Sequence, residues 1–199
     1  MTDQVLPRWA PAVVGCLLAL GGCGDGSSAV PPAMTTPLPA PTPVATDMAG
    51  QPLMPPKRPA AMEHGDTAGA QAAAEYFMEL SGYAVRSQDL RAFTQLSDPE
   101  CFYCDAVIDE VTADAAAGVY TIGGDTVFSV STIDPPAQES FYIVWGTLDR
   151  TPFVAYDSSG KTIYESDGDS SLEFAVRLQH EVDGRWVVMG TQAGEERAS

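Results

Sequence analysis

Residues 97–118 read SDPECFYCDAVIDEVTADAAAG, and the way this stretch starts and stops decides the fold class. Ser97 and Asp98 offer capping side chains. Pro99 suits a first helical position, where its missing N–H costs nothing, and Gly118 is a natural helix stop. The spacing predicts a helix from Pro99 to about Ala117. Upstream, Ala72, Tyr76, Leu80, Tyr83 and Ala84 recur at steps of three and four, which places them on one face of a helix over about residues 67–85. Ser87 reads as the N-cap of a short helix between these two, with Leu90 and Phe93 on its inner side.

Beyond Gly118 the period changes from about four to two. Val127, Phe128 and Val130 form one apolar segment, Phe141, Ile143 and Trp145 alternate in the next, and Phe153 to Tyr156 make a third. Asp157-Ser158-Ser159-Gly160 reads as a hairpin turn into Thr162-Ile163-Tyr164. Leu172, Phe174, Val176 and Leu178 alternate, Asp183-Gly184 supplies a tight turn, and Trp186 and Val188 return. Gly123-Gly124 reads as a turn, and Asp134-Pro135-Pro136 breaks the ladder because proline cannot donate to it. Helices followed by an antiparallel meander predict an α+β fold, with N-terminal helices packed on one curved, half-buried antiparallel sheet.

Composition limits where folded mass can lie. Of the seventeen aromatic residues, Trp9 stands alone and the other sixteen lie between Tyr76 and Trp186. The interval from Gly24 to Glu75 has no aromatic and cannot bury enough apolar surface to offset chain entropy. The net charge of -17 opposes binding to nucleic acid and to anionic lipid head groups, both of which need basic side chains. Membrane attachment would have to be covalent.

The amino terminus supplies such an attachment. The apolar run Ala10 to Leu20 is too short to span a bilayer, which takes roughly 20 apolar residues, but it fits a signal-peptide core. Leu20-Gly21-Gly22-Cys23 then resembles the bacterial lipobox, whose cysteine becomes the lipidated new amino terminus. Ten of the sixteen prolines fall between Pro31 and Pro59, a composition that favours extended polyproline II geometry. The reading is therefore a lipoprotein signal peptide over 1–22, a lipidated Cys23 heading a disordered tether over 23–66, an α+β domain over 67–191 and a flexible tail over 192–199. Extended at about 3.1 Å per residue, the tether reaches on the order of 100 Å.

The order of elements, the tyrosine-bearing first helix and the run Gln88-Asp89-Leu90 through Leu96-Ser97-Asp98-Pro99-Glu100-Cys101-Phe102-Tyr103-Cys104 resemble an uncharacterised family of actinobacterial lipoproteins. The resemblance covers about residues 67–191. It implies a domain similar to the nuclear transport factor 2-like cone, in which a bent sheet wraps around helices and leaves a pocket at the wide end. It brings no catalytic residues with it.

Once Cys16 leaves with the signal and Cys23 carries lipid, Cys101 and Cys104 remain as an even pair in an oxidising compartment, and a structural disulfide fastening the third helix is expected. A thioredoxin-type redox motif would instead follow a central parallel strand, and a metal site would need two further ligands. His180, near the Asp183-Gly184 turn, is expected at the surface, and His64 in or beside the tether. The acidic group Glu165, Asp167 and Asp169 lacks the spacing of a calcium loop and reads as a solvated hairpin. Tyr76, Tyr83, Tyr103, Trp145 and Trp186 are the candidates to line a pocket of the cone, although aromatics at such spacing are more often core. No catalytic residue, metal or cofactor is expected. The leading expectation is an extracytoplasmic binding or protein-interaction module anchored on the outer face of the plasma membrane, its partner an envelope protein or a small apolar ligand. The alternative is a small-molecule enzyme of the isomerase or dehydratase kind that uses the pocket.

Overall fold

The computed structural model describes residues 46, 50–136 and 140–193. The signal segment, Cys23 and most of the proline-rich tether lie outside the described residues, as do 194–199. From the tether, Thr46 pairs with Pro52 in an isolated antiparallel bridge.

The helices come first. A 3-10 turn over Ala60–Glu63 precedes α1 (Thr67–Ser87), α2 (Arg91–Leu96) and α3 (Phe102–Ala117). Met62 of the 3-10 turn is fully buried in the core, so folded mass begins upstream of the boundary expected at residue 67. Gly69 explains the close seat of that turn: a Cβ there would lie 1.9 Å from the carbonyl oxygen of His64. Asp66 caps α1, its carboxylate accepting from the Gly69 N–H at 2.9 Å.

The sequence placed one face of α1 inward. The observed helix is buried on nearly every side between Gly69 and Ala84, because it touches the 3-10 turn, α2, α3 and strands of both sheets. An apolar, alanine-rich helix suits that central position. Ser87 does not start α2 as expected. Its hydroxyl donates back to the Tyr83 carbonyl oxygen at 2.7 Å and so closes α1. Leu90 stands at the N-cap without a side-chain bond, and Asp89 just before it accepts from the Arg91 N–H at 3.1 Å.

α3 begins at Phe102 rather than Pro99. Asp98 closes a separate turn first, accepting from the Glu100 N–H at 2.8 Å through its side chain and from the Cys101 N–H at 3.0 Å through its carbonyl. Gly118, at φ 68°, ends α3, a left-handed conformation that glycine adopts without cost.

Among the described residues seven antiparallel strands follow: β1 (Tyr120–Gly123), β2 (Thr126–Asp134), β3 (Tyr142–Arg150), β4 (Phe153–Tyr156), β5 (Thr162–Ser166), β6 (Asp169–His180) and β7 (Trp186–Ala193). They form two sheets, not the single sheet expected: β2-β3-β6-β7 and β1-β4-β5. The extra strand is β1, which the turn signal of Gly123-Gly124 concealed. Bulges at Val130/Thr132, Leu148/Arg150 and Arg177/Leu178 interrupt the larger sheet and bend its strands.

The register of β3 is a second correction. Phe141, Ile143 and Trp145 were read as the alternating face, but the core receives Tyr142, Val144 and Leu148. Gly146 accounts for the choice. A Cβ there would meet the Ser129 carbonyl oxygen at 2.4 Å and the Phe128 ring at 2.8 Å, so this face of β3 is the one shaped to receive Phe128. Trp145 lies on the opposite face and donates its indole N–H to Asp134 at 2.8 Å. The core itself joins Phe77, Phe93, Met78 and Leu80 from the helices to Val144, Val176, Leu178, Trp186 and Val188 from the larger sheet.

Candidate functional site

A cavity of about 640 Å³ opens between α1, α3 and the strands of both sheets, within the roughly 300–1,000 Å³ typical of small-molecule sites. Helical spacing builds two of its walls. Met78, Ser81, Gly82, Val85 and Arg86 of α1 fall at alternating steps of three and one, on one face. Tyr103, Val107, Glu110 and Asp114 of α3 recur at steps of three and four. The larger sheet adds Leu148, Arg150, Leu172 and Phe174, and the smaller adds Thr121, Phe153, Ala155, Ile163 and Tyr164.

Burial grades from the inside outward. At the inner end, buried Ser81 meets Tyr103, with 2.9 Å between their hydroxyl oxygens. Phe174 sets its ring edge against Tyr103 at 5.8 Å and Phe77 backs it at 6.0 Å. Burial pushes the Tyr103 phenol above its ordinary pKa, with the Ser81 hydrogen bond acting in the opposite direction. Tyr103 is therefore a hydroxyl donor, not a base, at neutral pH.

At the mouth, Ile163, Tyr164 and Leu172 are exposed apolar side chains. The Arg150 guanidinium pairs with Asp169 and lies 4.7 Å over the Phe153 ring. Arg86 pairs with Asp125 and also donates to the Gly82 carbonyl oxygen at 3.0 Å. Its side chain is 11% exposed against 62% for Asp125, so the arginine is the inner partner of that pair.

Of the five aromatics expected at a pocket, Tyr103 lines this cavity and the other four do not. Tyr76 and Trp186 belong to the core, and Tyr83 is buried in α1. Trp145 sits on the outer face of β3 for the register reason given above. The structure thus disperses these residues, because sequence spacing ranks aromatics by period and cannot tell a filled core from an open one.

Cys101 and Cys104 sit at disulfide distance, with sulfurs 2.03 Å apart. Both are fully buried, and the Cys101 sulfur accepts from the Cys104 N–H at 3.2 Å as the N-cap of α3. His180 departs from its expected surface position. It stands two residues after Leu178, on the same face of β6, and is half-buried against Trp186 at 4.9 Å. Gly65 makes room for it, since a Cβ there would fall 2.4 Å from the imidazole Nδ1. His64 is exposed. Asp169, expected in a solvated acidic hairpin, is the partner of Arg150. Ser81, Arg86, Arg150, Phe153 and Phe174 were not singled out as site residues from the sequence; Ser81 and Arg86 lie off the face of α1 that the apolar period placed inward, so that period gave no signal for them.

No curated protein matches the chain. Among solved structures, the intermembrane space region of the chloroplast protein ARC6 aligns at TM-score 0.50 and 12% identity, over 65% of this chain and 97% of that one. A protein from Catenulispora acidiphila aligns at TM-score 0.43 and 13% identity, over 66% and 94%. A substituted variant of Rd1NTF2_05 aligns at TM-score 0.38 and 10% identity, over 65% and 100%. The first of these likenesses shows a shared fold and nothing about activity. A family model described as "Family of unknown function (DUF6318)" matches residues 52–192, and the chain belongs to that family.

Proposed function

We propose that this chain is a lipoprotein of the bacterial cell envelope, anchored through Cys23 on the outer face of the plasma membrane, whose domain binds a small apolar ligand. In this reading the two sheets and three helices form a nuclear transport factor 2-like cone, and the cavity is its wide end. The observation that carries the binding function is the cavity itself. It is open and a little more than half apolar in its walls, with charged side chains from α1, α3 and the larger sheet and a hydroxyl pair at its inner end, and its size suits a small ligand.

Its inner polar groups favour binding over catalysis. An isomerase or dehydratase needs a base beside the reacting carbon; the pair at the inner end is two hydroxyls, one of them held protonated by burial, and the wall carboxylates Glu110 and Asp114 lie about two and three turns along α3 from Tyr103. The lipobox Leu20-Gly21-Gly22-Cys23 and the proline-rich spacer support the location. Among the described residues no helix is long and apolar enough to cross a membrane.

Two measurements test the reading. Cys23→Ser should move the protein from the membrane to the soluble fraction, and retention on membranes would refute the anchor. Native mass spectrometry of the full chain extracted from cells should show a small-molecule adduct that Leu148→Trp, which fills the cavity, removes. An adduct that survives in the folded Leu148→Trp variant would refute the cavity as the binding site.

A further inference from the structure

We infer that the cavity selects a neutral ligand with an apolar body and a carbonyl-type oxygen at its inner end, received by the Ser81–Tyr103 hydroxyl pair. The inference rests on the binding reading above and specifies its ligand class.

The first argument is the proton count at the inner end. Two hydroxyls carry two protons, and the bond between them at 2.9 Å uses one. The other is available to an incoming acceptor, and burial keeps the phenol protonated. A neutral donor in an apolar recess suits a neutral acceptor. A carboxylate or sulfonate placed there would lose its hydration without meeting a cation, which costs far more than a hydroxyl donor returns.

The second argument is where the cations are. Arg86 is taken by Asp125 and the Gly82 carbonyl, and Arg150 by Asp169 and the Phe153 ring. Each is already neutralised by a carboxylate partner, so an anion there would meet a compensated ion pair and not an unpaired cation. Glu110 and Asp114 of α3 line the same cavity. They tip its wall toward negative charge, in a chain of net charge -17, and this field disfavours an anion on approach. A cation would be attracted to that rim, but the inner recess offers it no carboxylate.

Nile red is a suitable probe, being neutral, apolar and terminated by a ring carbonyl; anilinonaphthalene sulfonate is its anionic counterpart. The full chain carrying Cys23→Ser keeps the preparation free of lipid and detergent. Nile red should bind at one site, Ser81→Ala and Tyr103→Phe should each weaken it about tenfold, and Ser81→Thr, which retains the hydroxyl, should restore affinity. The anionic probe should bind at least tenfold more weakly. Leu148→Trp should abolish the Nile red site, and Val107→Trp serves where that variant does not fold.

Three results overturn the inference, and they are distinguishable. Unchanged Nile red affinity in folded Ser81→Ala and Tyr103→Phe removes the inner contact. Equal or tighter binding of the anionic probe at a site lost in Leu148→Trp leaves the cavity as a binding site but refutes neutrality. Binding of neither probe, or binding indifferent to both cavity-filling variants, refutes the cavity reading and this inference with it.

Discussion

The two sheets differ in how much of their apolar surface the core takes up. In β2-β3-β6-β7, Val144, Val176, Leu178 and Val188 are fully buried against the helices. In β1-β4-β5, no residue of β4 or β5 is buried, and Ile163 and Tyr164 are 52% and 57% exposed. The first sheet spends its apolar side chains on the core. The second leaves them at the mouth of the cavity. The larger sheet serves both the core and the cavity, to which it lends Leu148, Arg150, Leu172 and Phe174, whereas β4 and β5 add little to the core and offer their side chains to the proposed ligand site, as expected when binding elements come from the less tightly packed part of a fold.

The largest effect expected from this division is a contrast of two aromatic truncations. Phe77 is fully buried and stacks on Phe93 at 5.0 Å. Phe77→Ala should cost about 3–5 kcal/mol in urea denaturation, the usual loss for a large core aromatic. Tyr164→Ala should stay within about 0.5 kcal/mol while altering ligand binding. Equal losses in both variants would mean that the smaller sheet is as much a part of the core as the larger one.

A lesser effect is expected at the joint between helices and sheet. The Cys101–Cys104 pair fixes the start of α3, and the adjoining Asp98 donates its N–H to the Val188 carbonyl oxygen of β7 at 3.0 Å. Cross-linking so short a loop limits the unfolded chain by about 2 kcal/mol on the chain-entropy account. The Cys101→Ala/Cys104→Ala double variant should lose about that much, read as a shift of the denaturation midpoint. A loss under about 0.5 kcal/mol would remove the pair from the stability account.

Tyr103 should come next, at about 1 kcal/mol for the hydrogen bond lost in Tyr103→Phe. Its sign with pH is informative. A phenol raised in the folded state is protonated more firmly there than in the unfolded chain. Its contribution is therefore complete below the unfolded pKa near 10 and falls as pH rises toward the folded value. The alkaline limb of a stability–pH profile should be shallower in Tyr103→Phe, and an unchanged limb would show that the phenol is not held in this way.

Much of the fold was legible, and the failures have identifiable causes. Capping residues and Gly118 announced the helices and the switch to strands because these signals are local. The C-terminal limit of α3 was read to the residue, whereas its start was misplaced because Asp98 and Pro99 build a turn that looks like a cap from sequence alone. The division into two sheets was hidden because strand pairing is a long-range choice: β1 pairs with β4 across about thirty residues, and nothing local records it. β3 carries apolar residues on both faces, so its period could not say which face turns inward, and the answer lay in Gly146 and the ring of Phe128. The cavity was the least legible feature. It is a space between elements, and Tyr103 alone of the five aromatics proposed for it was placed there by helical phase.

The smallest effect expected is an acid-side one, at the ion pair that opens α2, whose two residues do not line the cavity. Asp89 holds Arg91 through paired contacts, Nε to Oδ1 at 2.9 Å and one terminal nitrogen to Oδ2 at 2.6 Å. The side-chain hydrogen bond from Arg91 draws its pKa down to about 2 from an ordinary 3.8. A carboxylate lowered in the folded state stabilises it fully above the unfolded pKa, and that contribution disappears as pH falls from about 4 through 2. Because the Arg91 side chain is 87% exposed, solvent screening limits the gain to about 0.5 kcal/mol or less. Asp89→Asn should flatten the stability profile by that amount between pH 4 and pH 2 and leave the neutral-pH ligand affinity unchanged. A change in affinity would show that α2 and the cavity are coupled, and that a residue outside the cavity lining also tunes binding.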